Sequence, residues 1–138
     1  HSFSTRKNTL RGMHYQRPPH EQAKLVRCTS GAILDVVVDI RLGSPTQNKC
    51  FSCELTAENG TQLFVPVGFL HGFLTLEDNT EIQYKCTNFY ASDTDNAIHW
   101  DSIGFNWPLS QNPLLSDKDA AALPLLSLPK VFSYEGHL

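Results

Sequence analysis

The residues best suited to proton chemistry stand in three short runs. Leu10-Arg11-Gly12-Met13-His14-Tyr15-Gln16 puts an arginine, a histidine and a glutamine on one extended stretch. Lys24 follows in Ala23-Lys24-Leu25-Val26-Arg27, and His71 lies in Val65-Pro66-Val67-Gly68-Phe69-Leu70-His71-Gly72-Phe73. Histidine titrates nearest neutral pH, which makes His14 a candidate general base. A base needs an orienting partner, often a carboxylate on its other ring nitrogen. Asp35, Asp39 and Asp119 are candidates that the residues alone do not rank. Taken singly, His14 reads as a packed strand histidine and Lys24 as a solvent-facing lysine. Turned inward, Lys24 would bring a cation to an oxygen on which negative charge develops, a large catalytic term where such charge is preorganised. Tyr84, in Glu81-Ile82-Gln83-Tyr84-Lys85-Cys86, reads singly as a packed ring with a wet hydroxyl.

The elements that must position these residues are short strands. Ala23 to Thr29 is one run, turned by Ser30-Gly31. In Ala32 to Arg41, Leu34, Val36, Val38 and Ile40 share one face, and Asp35, Val37 and Asp39 the other, because strand side chains alternate. Phe51 to Leu55 follows. Glu58-Asn59-Gly60 turns the chain, and Asn-Gly predicts a hairpin. Gln62 to Val65, Gly72 to Leu76 and Thr80 to Asn88 complete the set. Short strands with regular turns and no alternating helices predict an all-β antiparallel sandwich or barrel. In the tail, Trp107-Pro108 and Asn112-Pro113 block regular structure. Ser116-Asp117-Lys118-Asp119 before Ala120-Ala121-Ala122-Leu123 predicts a short helix, with Ser116 as N-cap and Asp119 in the first turn. Pro124 is expected to stop it.

From about Thr9 to about Leu126, these motifs together resemble the dTDP-4-dehydrorhamnose 3,5-epimerase family, which inverts carbons beside a sugar ketone. The resemblance implies a cupin-type jelly roll with a short C-terminal helix. It ranks the carboxylates: the family base is the histidine of an Arg-Gly-X-His-X-Gln run, paired with the aspartate of a late Lys-Asp-Ala string. Those positions match His14 and Asp119, leaving Asp35 as an inward-facing supporting acid. The family lysine near the ketone oxygen matches Lys24. The tyrosine of a Tyr-Lys-X-Thr string, an acid on the face opposite the base, matches Tyr84. By the same resemblance Arg11, Gln16, His71, Tyr90, Asp95 and Lys118 bind substrate, with Tyr90 stacking on the nucleotide base. The implied partner is a nucleotide sugar, most simply dTDP-linked, and the implied assembly is a homodimer. The family also carries further strands ahead of the Arg-Gly-X-His run, which implies that this chain lacks N-terminal strands. The alternatives are a sugar-nucleotide 3,4-ketoisomerase and a non-catalytic cupin that binds a sugar nucleotide.

His71 ends a Pro-X-Gly-X-X-His string, which in metal-binding cupins supplies a ligand. Such sites need three or four converging donors. Where the His-X-His pair would stand, this chain reads His14-Tyr15-Gln16, so no metal is expected. Proton transfer beside a carbonyl also needs no redox cofactor. Cys50 and Cys53 lie three apart, face opposite sides of a strand, and read as packing residues. His20, His99 and His137 are expected at the surface or in loops, and Met13 and Phe105 in the core. The chain has 138 residues and a net charge of -3. That length suits a single domain over residues 1–138. The charge provides no basic footprint for nucleic acid and no cationic face for a membrane. There is no apolar run of membrane-spanning length and no signal-peptide core. Four cysteines do not make a disulfide scaffold and read as free thiols of a cytoplasmic protein.

Overall fold

The computed structural model describes residues 1–136. His137 lies outside the described residues. Among the described residues, nine strands form two antiparallel sheets. The first sheet runs β1 (Ser2–Ser4), β8 (Thr80–Cys86), β3 (Lys24–Ser30), β6 (Gln62–Val65). The second runs β5 (Cys50–Thr56), β4 (Ala32–Asp39), β7 (Phe69–Thr75), β2 (Leu10–Gln16), β9 (Asp95–Ala97). Among the named strands, only β4 and β5 are both consecutive and paired. The other connections carry the chain from one sheet to the other, which is how a jelly roll encloses a core. Among the described residues, no helix is long and apolar enough to cross a membrane.

The second sheet is buried on both faces, which explains the composition of β4. Its inner face meets the first sheet through Val26, Cys28, Ile33, Val37, Leu55, Val65, Phe73 and Ile82. Its outer face, with Leu10, Met13, Val36, Val38, Leu70 and Leu74, is covered by Ile103, Trp107 and Phe132 of the tail. Cys50 packs on the outer cluster and Cys53 on the inner one. All four cysteines are free. Phe105 is partly buried against the outer cluster, and Met13 is wholly buried in it.

The predicted hairpin at Asn59-Gly60 does not form. The turn itself is present: Asn59 Oδ1 accepts from the backbone N–H of Thr56 and of Thr61. Its flanking strands, however, lie in different sheets, β5 against β4 and β6 against β3. The physical reason is burial. Leu55 and Val65 enter the same inter-sheet core from opposite sheets, which two strands of one hairpin cannot do. Two further elements differ from expectation. The strand expected from Gly72 begins at Phe69, placing His71 on β7. The tail helix, Asp117–Ala120 (α1), ends before Pro124, which instead caps a 3-10 turn at Leu125–Ser127. Ser116 caps α1 as predicted, its hydroxyl accepting from the Asp119 N–H.

A bulge in β2 decides which side chains face the cavity. Arg11 pairs with Phe73 and His14 with His71, and the register shifts between them. In a regular strand, residues three apart would face opposite sides; the extra residue turns both inward. The bulge needs glycine. Gly12 has a φ of 113°, and a Cβ there would sit 2.6 Å from the Gly72 Cα. A Cβ on Gly72 would meet Met13 Sδ at 2.6 Å and the Arg11 carbonyl at 2.7 Å.

The loop from β4 to β5 is tied by Asp39. This buried carboxylate accepts from Arg41 Nε at 2.9 Å and Nη2 at 2.7 Å, and from the hydroxyls of Ser44 at 2.6 Å and Thr46 at 2.7 Å. Burial opposes its ionisation, but these donors outweigh it and hold the carboxyl well below the ordinary carboxylate range.

Two outcomes follow. Gly12→Ala should lower stability by about 2 kcal/mol or more, since neither backbone can give way; a thermal melt matching the parent would contradict the close approach. The Asp39 carboxyl is depressed in the folded state, so its stabilisation is full above the unfolded value of about 4 and fades as pH falls below it. Asp39→Asn should therefore cost roughly 3 kcal/mol at neutral pH. The gap between variant and parent should narrow in acid denaturation series below that value. A gap independent of pH would contradict the ion network.

Candidate active site

At one end of the space between the sheets the apolar core gives way to polar side chains. They line a cavity of about 580 Å³. From the second sheet β2 contributes His14 and Gln16, and from the first sheet β3 contributes Lys24 and β8 contributes Tyr84. His14 and Tyr84 thus face the cavity from opposite walls. A recess of about 140 Å³ shares His14, Lys24 and Tyr84 and adds Arg11 and His71.

His14 is held from behind. Its Nε2 is 2.5 Å from Asp119 Oδ1, a contact between residues 105 positions apart. Asp119 has no exposure, while the His14 side chain is 29 % exposed and reaches the cavity. The Gly12 N–H donates to Asp119 Oδ2. Burial pushes the Asp119 carboxyl up, but the contacts with His14, the Ser116 hydroxyl and the Gly12 N–H more than offset this, and it stays below its ordinary value. With Nε2 engaged, Nδ1 is the nitrogen left to exchange a proton.

A second pair lies alongside. His71 Nε2 is 2.6 Å from Asp35 Oδ1, with both side chains buried. Asp35 Oδ2 is buried without a hydrogen-bond partner among the described residues. Asp35 therefore orients His71, Asp39 belongs to the Arg41 network, and Asp119 reaches His14. Lys24 is half-buried; burial lowers its ammonium, partly countered by Cys86, Asp95 and Asp35. Burial pushes the Tyr84 phenol up, and Cys86 adds to the shift. Arg11 uses Nη1 to donate to the Leu10 and Leu114 carbonyls.

The rim is charged and aromatic. Tyr90 and Phe89 are exposed, at 71 % and 91 %. The Tyr90 hydroxyl donates to Asp95 Oδ2, and Lys118 pairs with the same oxygen. Asp95 is the first cause of a raised Tyr90 phenol. Lys118 and Asp119 are neighbours on α1, so the same turn of helix serves the rim and His14. The ten residues singled out from sequence thus gather at one site: nine line the cavity or its recess, and Asp119 backs His14. Sequence reasoning missed Gln22, Cys86, Asn88 and Phe89, which also line it. Cys86 could have been found from register, since it pairs with Lys24 across β3 and β8; no local pattern marks the other three. Among the described residues no three His, Cys, Asp or Glu side chains converge as a metal ion would require. His99 caps the 3-10 turn at Trp100–Ile103, and His20 is exposed.

The chain is similar to known proteins over nearly its whole length. The dTDP-4-dehydrorhamnose 3,5-epimerase family profile matches residues 1–127. The dTDP-4-dehydrorhamnose 3,5-epimerase of Sinorhizobium fredii is 50 % identical over 135 residues, covering 96 % of this chain and 69 % of the relative. That of Salmonella typhimurium is 52 % identical over 128 residues, covering 91 % and 69 %. A Legionella pneumophila dTDP-6-deoxy-D-glucose-3,5-epimerase, solved in complex with dTDP-4-keto-L-rhamnose, superposes with a TM-score of 0.91. It is 39 % identical, over 98 % of this chain and 74 % of that one. The two-sheet fold and the matches across nearly the whole chain lead to one conclusion: the chain belongs to the dTDP-4-dehydrorhamnose 3,5-epimerase family of isomerases.

Proposed function

We propose that this chain epimerises a dTDP-linked 4-keto-6-deoxyhexose at the carbons flanking its ketone, yielding a 4-dehydrorhamnose-type product, and that it acts as a homodimer. The observation that carries the reading is the placement of His14 and Tyr84 on opposite walls of one cavity, with Lys24 on the Tyr84 wall. The ketone acidifies the adjacent C–H bonds. His14 Nδ1 takes one proton, and the imidazolium is stabilised by the Asp119 carboxylate. The electron pair moves to the ketone oxygen, where the Lys24 ammonium meets the developing enolate charge. Tyr84 then delivers a proton to the opposite face, and exchange with solvent removes the proton from His14 and restores the one on Tyr84, so the product is an isomer and no electrons leave the sugar. Burial raises the Tyr84 phenol, which keeps it protonated and able to donate at neutral pH. Arg11 and His71 in the recess suit sugar oxygens, Arg11 through its forked donors. Lys118 and Asp95 at the rim suit phosphate and hydroxyl groups, and the exposed Tyr90 ring suits the base.

His14→Ala should cut turnover by roughly a thousandfold or more in a protein that still folds but melts earlier, because the buried Asp119 carboxylate loses its ring partner; substantial residual activity would sink the mechanism. Tyr84→Phe should impair product formation more than it impairs deuterium incorporation from solvent into substrate. Equal loss of both would remove Tyr84 as the acid.

A further inference from the structure

We propose that Gln16, assisted by Gln22, is a positioning residue that holds the aromatic rim at a fixed distance from His14 and so tunes the site to a substrate carrying a base. This rests on the proposed reading of Tyr90 as the surface on which the base stacks. Gln16 follows His14 by two positions on β2 and so points to the same side of the strand. It is 5 % exposed. Its Nε2 donates to the His20 carbonyl at 2.5 Å and to the Phe89 carbonyl at 3.2 Å. Its Oε1 accepts from the Ala91 N–H at 3.0 Å. Both amide hydrogens are therefore taken, and Gln16 has no donor to offer a ligand. Gln22 Nε2 donates to the Asn88 carbonyl at 2.7 Å. The backbone on both sides of Tyr90 is thus held by two glutamine side chains.

This clamp matters because the backbone bonds at Thr87 and from Ala91 onward hold the ends of the segment, while Asn88 and Phe89 offer their carbonyls to the two glutamines. β8 ends at Cys86 and β9 begins at Asp95, and the two rings between them stand out in solvent. An exposed ring is a useful stacking surface only if its backbone is already fixed, since ordering it on binding would cost affinity. Strand geometry sets the spacing: two residues advance about 7 Å along β2, and the glutamine amide converts that interval into a fixed loop position. The clamp touches neither Tyr84 nor Lys24, so its loss should weaken binding of the base and leave proton transfer in place.

The test is steady-state kinetics of the full-length protein with dTDP-4-keto-6-deoxyglucose and, as a base-free probe, 4-keto-6-deoxyglucose 1-phosphate. Gln16→Ala should raise KM for the nucleotide sugar roughly tenfold, the scale of one lost base stack, with kcat changed by less than about twofold. Its kcat/KM for the base-free probe should fall far less, by under about threefold. Gln22→Ala should show the same pattern at about threefold, and decides the matter if Gln16→Ala does not fold. Tyr90→Ala should raise KM like Gln16→Ala, and the double variant should be no worse than Tyr90→Ala alone, because the two act through one contact. A normal KM in both glutamine variants beside a raised KM in Tyr90→Ala would overturn the clamp and leave the stacking reading standing. A normal KM in Tyr90→Ala would overturn both. An equal loss on both substrates would overturn the clamp and make Gln16 a support of the His14 strand instead.

Discussion

A carboxylate with no access to water, Asp119, must be satisfied wherever it lies, because burying a charge without partners costs several kcal/mol. Its partners are the His14 ring, the Gly12 N–H and the Ser116 hydroxyl. That requirement docks α1 on β2, while apolar burial of Ile103, Trp107 and Phe132 holds the tail across the outer face of the second sheet. It also ties the bulge to the site, since the Gly12 N–H that reaches Asp119 belongs to the bulge that turns Arg11 and His14 inward. His14 and a large part of the fold are therefore one arrangement. Loosening either would expose the other.

The two sheets divide the remaining work. The space between them is apolar at one end, with Ile33, Leu55 and Ile82 fully or almost fully buried. At the other end it is polar, with His14 and His71 on one wall and Lys24 and Tyr84 on the other. An inversion needs a base and an acid on opposite faces of one carbon, and a sandwich supplies two facing walls that are rigid because each is hydrogen-bonded across its width. The polar end depends on the apolar one: cross-strand register places Tyr84 opposite Val26 and Lys24 opposite Cys86.

Much of this was readable in the chain. The alternation in β4, the Ser116 cap and the opposite facing of Cys50 and Cys53 follow from strand and helix periodicity, which is local. The set of site residues came from the family resemblance, whose motifs are spread along nearly the whole sequence. Long-range geometry was not readable. Asp35, Asp39 and Asp119 look alike in their local sequence; the family resemblance singled out Asp119 for His14, but only the topology separates a partner of His71 from an anchor for Arg41. Asn59-Gly60 encoded its turn but not the destination of the strands it joins, because inter-sheet burial outweighed the hairpin preference. The bulge in β2 was hidden for the same reason, since it depends on a second glycine, Gly72, on a strand far away in sequence. Gln16 belonged to the motif, yet its three backbone partners became visible only in the fold.

Proton NMR of dTDP-4-keto-6-deoxyglucose incubated with the full-length protein in deuterated water tests the central claim most directly. Proton removal by the His14–Asp119 pair predicts deuterium at both carbons flanking the ketone, together with signals of the inverted sugar. Deuterium at one carbon alone would restrict the reaction to a single centre. No exchange at either carbon, with substrate bound, would contradict a catalytic cavity and leave a site that binds a sugar nucleotide without acting on it.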